Sequence, residues 1–356
     1  MSLLRKSLIF LTILALLAFV ATGCGGTKDK DQAADGQQQQ QEVIKLKVAD
    51  SFPTTHFLSK NAVFFMERLE ELADGKIEIE YYPSEQLGKM KDLLDLCSQG
   101  ATDIAYISVP FFSGKMPLNQ LIVLPLWTTA AEGSNIEWDL VNEDIFKEEF
   151  LRYGVRPIFA YTTPQYDVGT TKKPVRSLED LKGLKLKSSG GVYEMIHIEA
   201  GAVPVTVASN ETYEAMQRGT IDGNFQSYPS MKGYRLDEIQ NYCTYGASFG
   251  GYNVAYAINE KKWNSLPEDI QKIILQAGEE TVVHSGEAND AMQKELRDEF
   301  EAAGQEIYDL SPEEKTQWKE AISAVNDQYV KSLNDQGLPG DEAYVILQEL
   351  VAKYVK

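Results

Sequence analysis

Histidine and cysteine are scarce in this chain, three of each among 356 residues. His56, His197 and His284 lie far apart with no ligand spacing, and the cysteines form no cluster, so no metal centre is expected. There is no Gly-x-Ser-x-Gly elbow, no Walker-type phosphate loop and no dinucleotide glycine fingerprint after the first strand. Carboxylates are plentiful, but composition alone selects no pair as acid and base. Neither catalysis nor a cofactor is expected. Positive charge is also short: 34 Lys and Arg against 53 Asp and Glu give a net charge of -19. That balance disfavours nucleic acid and anionic lipid as partners, and any anionic ligand must be drawn in by a local basic group against the overall field.

Long apolar runs are missing as well. The run Leu8–Val20 is shorter than the ~20 residues a bilayer-spanning helix needs. It follows Arg5 and Lys6 and precedes Ala21, Thr22, Gly23 and Cys24, which reads as an export signal. Small residues directly before Cys24 resemble a lipoprotein cleavage box, so residues 1–23 are expected to be removed and Cys24 acylated; an ordinary secretory signal cleaved nearby is the alternative. Losing Arg5 and Lys6 would move the net charge from -19 to -21. Residues 24–42 read as a flexible, lipid-anchored linker, because Thr27–Gln41 is rich in Lys, Asp, Gly and Gln and ends in consecutive glutamines. Such a tether spans roughly 20 Å. The remaining body exceeds one ordinary core, which predicts two lobes. Cys97 and Cys243 are expected as two buried thiols rather than a disulfide.

Within the body, Lys45–Ala49 alternates like a strand, apolar residues recur at helical spacing over Leu58–Leu72, and Ile77–Tyr81 alternates again. A helix over Glu85–Ser98 and a strand over Asp103–Ser108 continue a βαβ grammar that argues for mostly parallel sheets. Val155–Tyr161 is a further strand, and the polar run Thr162–Thr171 suits a crossing between lobes. Val254–Ile258 returns the chain, so two crossings would make a hinge. Helices are predicted from Leu266 towards Ala303, after the Ser311-Pro312-Glu313-Glu314 cap, and over Asp341–Tyr354.

The richest stretch is SLEDLKGLKLKSSGGVYEMIHIEAGAVPVTVASNETYEAMQRGTIDG, residues Ser177 to Gly223. Strand alternation sets Lys185 and Lys187 on one side and Leu184 and Leu186 on the other. Ser188, Ser189, Gly190 and Gly191 then lead into a helix, whose N-terminal N–H groups suit an anion. A solvated strand end before an ordinary helix is the plainer reading of the same residues.

DLKGLKLK, GAVPV and NETYEAMQRGTIDG resemble the central block of DctP-like solute-binding proteins of tripartite ATP-independent periplasmic (TRAP) transporters. Upstream, YYPSEQLGKMKDLLDLCSQGATDIAYIS and LIVLPLW are similar to that family in order and spacing, so the likeness covers roughly residues 44 to 300. It implies an α/β, two-lobed periplasmic-binding-protein-like clamshell with hinge strands and long C-terminal bracing helices. Lobe I would comprise 43–163 with 251–290, lobe II 164–250, and 291–356 would be helices packing across both. The implied function is an extracytoplasmic receptor, in the periplasm or on the outer cell surface. It would bind a small polar, carboxylate-like metabolite and deliver it, as a monomer, to an ion-gradient-driven TRAP permease. A binding protein of an ATP-driven importer and a secreted hydrolase stay open as alternatives.

The family places a carboxylate-gripping arginine where Lys187 stands here. Lysine keeps the charge and loses the planar fork, which leaves carboxylate, sulfonate and phosphate open as ligands; a surface lysine, with the ligand fixed mainly by neutral groups, is the alternative. Gln226 matches a polar family position. Phe52, Tyr106, Ser108, Tyr166, Tyr193, Thr206, Tyr228 and Asn253 sit at strand ends or following turns, where open α/β sheets place ligands. Asn210 reads as a helix cap, Glu211 as a complement to that helix's positive end, and Asp222-Gly223 as a tight structural turn.

Overall fold

The computed structural model describes residues 43–355; the export signal, Cys24 and the glutamine-rich tether lie outside them. Leu46 and Val48 point inward and Lys45 and Lys47 outward along β1 (Ile44–Ala49), as the alternation requires. α1 (Phe57–Ala73) buries Leu58, Ala62, Phe65, Met66 and Leu69 on one face and stops at Asp74, whose φ of 48° is left-handed. β2 (Ile77–Tyr82) then pairs parallel to β1, Ile44 opposite Ile77.

The next helix is shorter than its sequence suggests. Ser84 and Glu85 take φ values of 57° and 60°, which helical backbone excludes, and α2 is confined to Leu93–Ser98. The Glu85 carboxylate instead accepts from the backbone N–H of Met90 at 3.0 Å and from Lys89 Nζ at 2.6 Å, closing a loop ahead of the helix. β3 (Ile104–Ser108), α3 (Ala130–Asn142), α4 (Asp144–Leu151) and β4 (Val155–Thr162) follow.

The chain then crosses to β5 (Asp167–Thr170), β6 (Lys185–Ser188), α5 (Val192–Glu199), β7 (Val203–Thr206), α6 (Thr212–Gln217), β8 (Gly223–Gln226), α7 (Tyr228–Gly233) and β9 (Tyr242–Tyr245). It returns through β10 (Asn253–Asn259) to α8 (Glu260–Ser265) and α9 (Glu268–Ala302), and ends in β11 (Glu306–Asp309), α10 (Pro312–Ala321), α11 (Ala324–Asp335) and α12 (Gly340–Tyr354). One sheet has the order β2-β1-β3-β10-β4 and the other β11-β9-β5-β8-β6-β7.

Both sheets are mixed rather than mostly parallel. β10 runs antiparallel to β3 and β4, and β5 antiparallel to β8 and β9. The cause is connectivity. Each of these strands enters its sheet directly from the other, so it starts at the edge where its neighbours end. The carboxyl ends of the remaining strands therefore gather at the crossing, the usual ligand edge of an open α/β sheet.

Two expectations about the crossings need correction. The polar run 162–171 does carry a crossing, but only its first half makes it: Thr162, Thr163, Gln165, Asp167 and Thr170 are all buried, and the second half is β5. Nor are there only two crossings, because α9 leads from the first sheet's side into β11, which pairs parallel to β9. The C-terminal segment is thus not helices alone, and the division at residue 290 falls inside the continuous helix α9.

One core wraps the first sheet with α1, α2 and α9. A second joins residues 118–146 to the second sheet and to α10–α12, so side chains preceding the first crossing pack with those following it. α11 lies on α5 and α12 on α3, bracing both halves. A third, smaller cluster holds Tyr228, Met231 and Phe300 under α9. Cys97 and Cys243 are free and buried, as expected.

Candidate ligand-binding cleft

The two crossing segments lie side by side. Thr163 donates its N–H to Tyr252 O at 2.8 Å, Tyr166 to Gly250 O at 2.6 Å, and Phe249 to Tyr166 O at 3.0 Å. α9 ties the same place down: Asn289 donates to Thr162 O at 3.2 Å, and Gln293 Nε2 to Asp167 Oδ2 at 3.2 Å.

On β6, Lys185 is exposed as expected, but Lys187 is only 4 % exposed. Strand register puts Lys187 beside Asn224 of β8 and opposite Val205 of β7, so its side chain rises from the middle of a sheet. Its Nζ donates to Ser189 Oγ at 2.7 Å and to Ser209 Oγ at 3.2 Å, and has no carboxylate partner among the described residues. Burial lowers its pKa to about 8. Two neutral hydroxyls do not compensate a buried ammonium, which leaves it free to take an anion.

Beyond Ser209 the cleft is walled by phenols. Burial raises the hydroxyls of Tyr106, Tyr166, Tyr193 and Tyr234 above the ordinary phenol range, and neighbouring phenols push them further. Tyr252 is common to all four, and its own hydroxyl bonds to Ser108 Oγ. Tyr166 stacks on Tyr193 with centroids 5.9 Å apart, and Tyr193 donates to Gly251 O at 2.7 Å. Phe52 presents its face to His56 at 4.3 Å and stands edge-on to Tyr106 at 5.3 Å. The Tyr106 hydroxyl is buried without a hydrogen-bond partner among the described residues.

A model of the bacterial extracellular solute-binding protein family 7, DctP, matches residues 48–332. The chain belongs to this family of TRAP solute-binding proteins. The C4-dicarboxylate-binding periplasmic protein DctP of Rhodobacter capsulatus is 25% identical over 288 residues, covering 80% of this chain and 86% of that protein. A TRAP solute-binding protein from Rhodoferax ferrireducens, solved with copurified benzoate, superposes with a TM-score of 0.81 at 23% identity over 88% of this chain and 98% of that one. A TRAP periplasmic solute-binding protein from Desulfovibrio salexigens, solved as an open complex, gives 0.76 at 26% identity over 88% and 97%. This DctP-family receptor therefore has the two-lobed fold, and it is a solute-binding protein rather than an enzyme.

Of the site residues expected for such a receptor, Lys187, Tyr106, Ser108, Tyr166, Tyr193 and Phe52 line this seam. Gln226 ends β8, buried, accepting from Asn224 Nδ2 at 3.1 Å. Three others stand apart. Thr206 is exposed on the edge strand β7. Tyr228 is packed between Tyr245 and Phe300 with its hydroxyl on Thr244 O at 2.8 Å. Asn253 donates to Asn119 O at 2.9 Å and lies beside the buried carboxyl of Glu137.

The structural residues also shift. Asn210 sits within a 3-10 turn rather than at a helix cap, and Gly223 opens β8, where a Cβ would stand 2.2 Å from Gly169 O. Asp222 does fasten the fold, exchanging hydrogen bonds with Lys185 through its carboxylate at 2.9 Å and its N–H at 2.7 Å. Sequence reasoning missed Ser209, Tyr234, Tyr252 and His56. Tyr252 carried a usable signal, an aromatic between Gly250-Gly251 and a buried strand; Tyr234 carried none.

Proposed function

We propose that this receptor captures a small monoanion with an aromatic or otherwise apolar body, a monocarboxylate in the first instance, and hands it to its TRAP permease. The observation that carries this reading is the Lys187 ammonium, buried in a sheet with only Ser189 and Ser209 as partners among the described residues. A single cation matches a single negative group, and phenol faces match a ring or an alkyl body. In a dry cleft one charge-assisted bond counts for more than in water. The solute favours closure because only in the closed form does it touch both lobes. Benzoate in the Rhodoferax ferrireducens relative agrees with that class. Gln226 is the proposed neutral partner. Lipidation of Cys24, with attachment to a membrane through residues 24–42 and a monomeric body, belongs to the same proposal.

The test is a melting-temperature screen over benzoate, mandelate, succinate, sulfonates, amino acids and polyols, followed by calorimetry. A monocarboxylate is expected to bind at least tenfold more weakly to Lys187→Ala. Unchanged affinity in that variant would remove Lys187 from the site, and selective binding of polyols or of cationic amines would replace the proposed class. Mass spectrometry of the membrane fraction checks Cys24, for which an unmodified soluble protein is the contrary result.

A further inference from the structure

We infer that Gln240 and Asn224 are positioning residues for the solute: with Gln226 they form a buried row of amides whose direction turns the Gln226 donor towards the cleft, beside the Lys187 ammonium. The inference rests on the Lys187 reading for the anion, and on the hydrogen bonds of the row for the rest.

The row is built on β8. Asn224 and Gln226 stand two residues apart on that strand, so their side chains share one face of the sheet. Gln240 reaches the same face from the chain just before β9. Its Nε2 donates to Asn224 Oδ1 at 3.1 Å, and Asn224 Nδ2 donates to Gln226 Oε1 at 3.1 Å. All three side chains are buried. Gly169 makes the space for them: it lies opposite Asn224 on β5, and a Cβ there would stand 2.2 Å from Gln240 Nε2. Gly169 does not have a left-handed φ, so glycine serves close approach here and not backbone freedom.

Direction matters because each amide has a donor end and an acceptor end. Run this way, the row leaves Gln240 Oε1 as its one unpartnered buried atom among the described residues. Run the other way, it would seal an NH2 group in that place, and buried N–H groups without a partner are rarer than such carbonyls. Asn224 agrees. Its Nδ2 also lies 4.0 Å from Met216 Sδ, an acceptor that would face an oxygen if the amide were turned. Gln226 therefore keeps Oε1 towards Asn224 and sends Nε2 on towards the carboxyl end of β8, where it donates to nothing among the described residues. Asp167 pairs with Gln226 from β5, but its carboxylate already accepts from Ala247 N, Thr244 Oγ1 and Gln293 Nε2.

Lys187 pairs with Asn224 across the ladder, and its ammonium leans on along the strand to Ser189 Oγ at 2.7 Å. That step matches the one from Asn224 to Gln226 on β8. The ammonium and the Gln226 amide thus rise from neighbouring strands at one level of the sheet edge, two donors for the two oxygens of one carboxylate. A lysine alone lacks the planar fork of a guanidinium; the amide row supplies the second prong.

Calorimetry of benzoate with the full chain tests the row as a thermodynamic cycle, with circular dichroism confirming that each variant is folded. Gln226→Met should weaken benzoate binding about tenfold, and Gln240→Met about threefold or more. Gln240→Met added to Gln226→Met should lower affinity no further, because the amide it positions is gone. Equal losses in both backgrounds, or no loss from Gln240→Met, overturn the inference; a merely structural glutamine would give one of these. Amide exchange followed by NMR reads the direction without any solute: the Gln226 side-chain amide should exchange fast, and those of Asn224 and Gln240 slowly. A slow Gln226 amide is the contrary result. If Lys187→Ala binds benzoate as tightly as the wild type, or benzoate does not bind at all, the monocarboxylate reading fails instead, and the exchange pattern alone decides the row.

Discussion

His197 stands with Nε2 3.0 Å from the carbonyl oxygen of Lys187 and Nδ1 2.6 Å from that of Tyr193. Uncharged, the ring carries one N–H and donates to one of these two carbonyl oxygens, so it lies between α5 and the strand backbone from which Lys187 projects. Burial, aided by the Lys187 charge, lowers it to about 4.

His197→Ala should therefore cost about 2–4 kcal/mol, from lost packing against Phe225 and an abandoned carbonyl, read by urea unfolding. Between about pH 4 and the ordinary 6.5 the folded chain binds fewer protons here than the unfolded chain, so stability rises with pH over that window. The variant should show a shallower acid limb. A change within ~0.5 kcal/mol would deny the ring its bridging role.

Lys187 sets a limit at the other end of the pH scale. An anion needs the ammonium and must itself be ionised, so affinity for a monocarboxylate should be flat from about pH 6 to 7, well above the ordinary carboxyl value, and fall as pH rises through 8. The free receptor carries the burial cost at neutral pH, and its stability should rise between about 8 and the ordinary lysine value. Lys187→Met should raise neutral-pH stability by about 3 kcal/mol while abolishing anion binding. Calorimetry across pH and thermal unfolding read both; a pH-independent affinity would contradict the role.

Glu137 supplies the opposite sign. It is fully buried on α3, and burial raises it to about 8, partly offset by Asn253. Its contribution is complete below the ordinary carboxyl value and lost as pH rises through 8. Glu137→Gln should gain in melting temperature over the wild type at pH 8–9 and differ little at pH 4.5. Equal shifts at both pH values would show that the carboxyl is not held neutral.

Gly223→Ala should cost about 2–3 kcal/mol, because its methyl would meet Gly169 O at 2.2 Å and Thr170 Cγ2 at 2.9 Å. Denaturant unfolding measures it, and a neutral substitution would show that β5 and β8 have slack.

Much of this arrangement was legible before any coordinates, and the limits are physical. β1, α1, β2 and β3 were readable because short-range periodicity and their Asp74-Gly75 and Gly100 stops agree. Lys187 was placed correctly on its strand, but alternation along β6 could not reveal that Lys185 would be exposed and Lys187 enclosed; that difference comes from neighbouring strands and Ser209. The early helix start failed because a left-handed pair at Ser84 and Glu85 leaves no periodic trace. β11 was invisible inside charged sequence, since Ile307 and Tyr308 become a strand only by pairing with β9. The phenol wall draws Tyr106, Tyr166, Tyr193, Tyr234 and Tyr252 from segments far apart in the chain, and convergence of that kind is not written in any local pattern.

β11 is made long after β9, the strand it completes. While the chain is being synthesised or exported, the second sheet must wait with the β9 edge uncovered until residues beyond α9 arrive. The last-made part of the molecule thus decides when the second sheet is finished, and a product ending before Glu306 would expose an adhesive strand rather than form a smaller receptor.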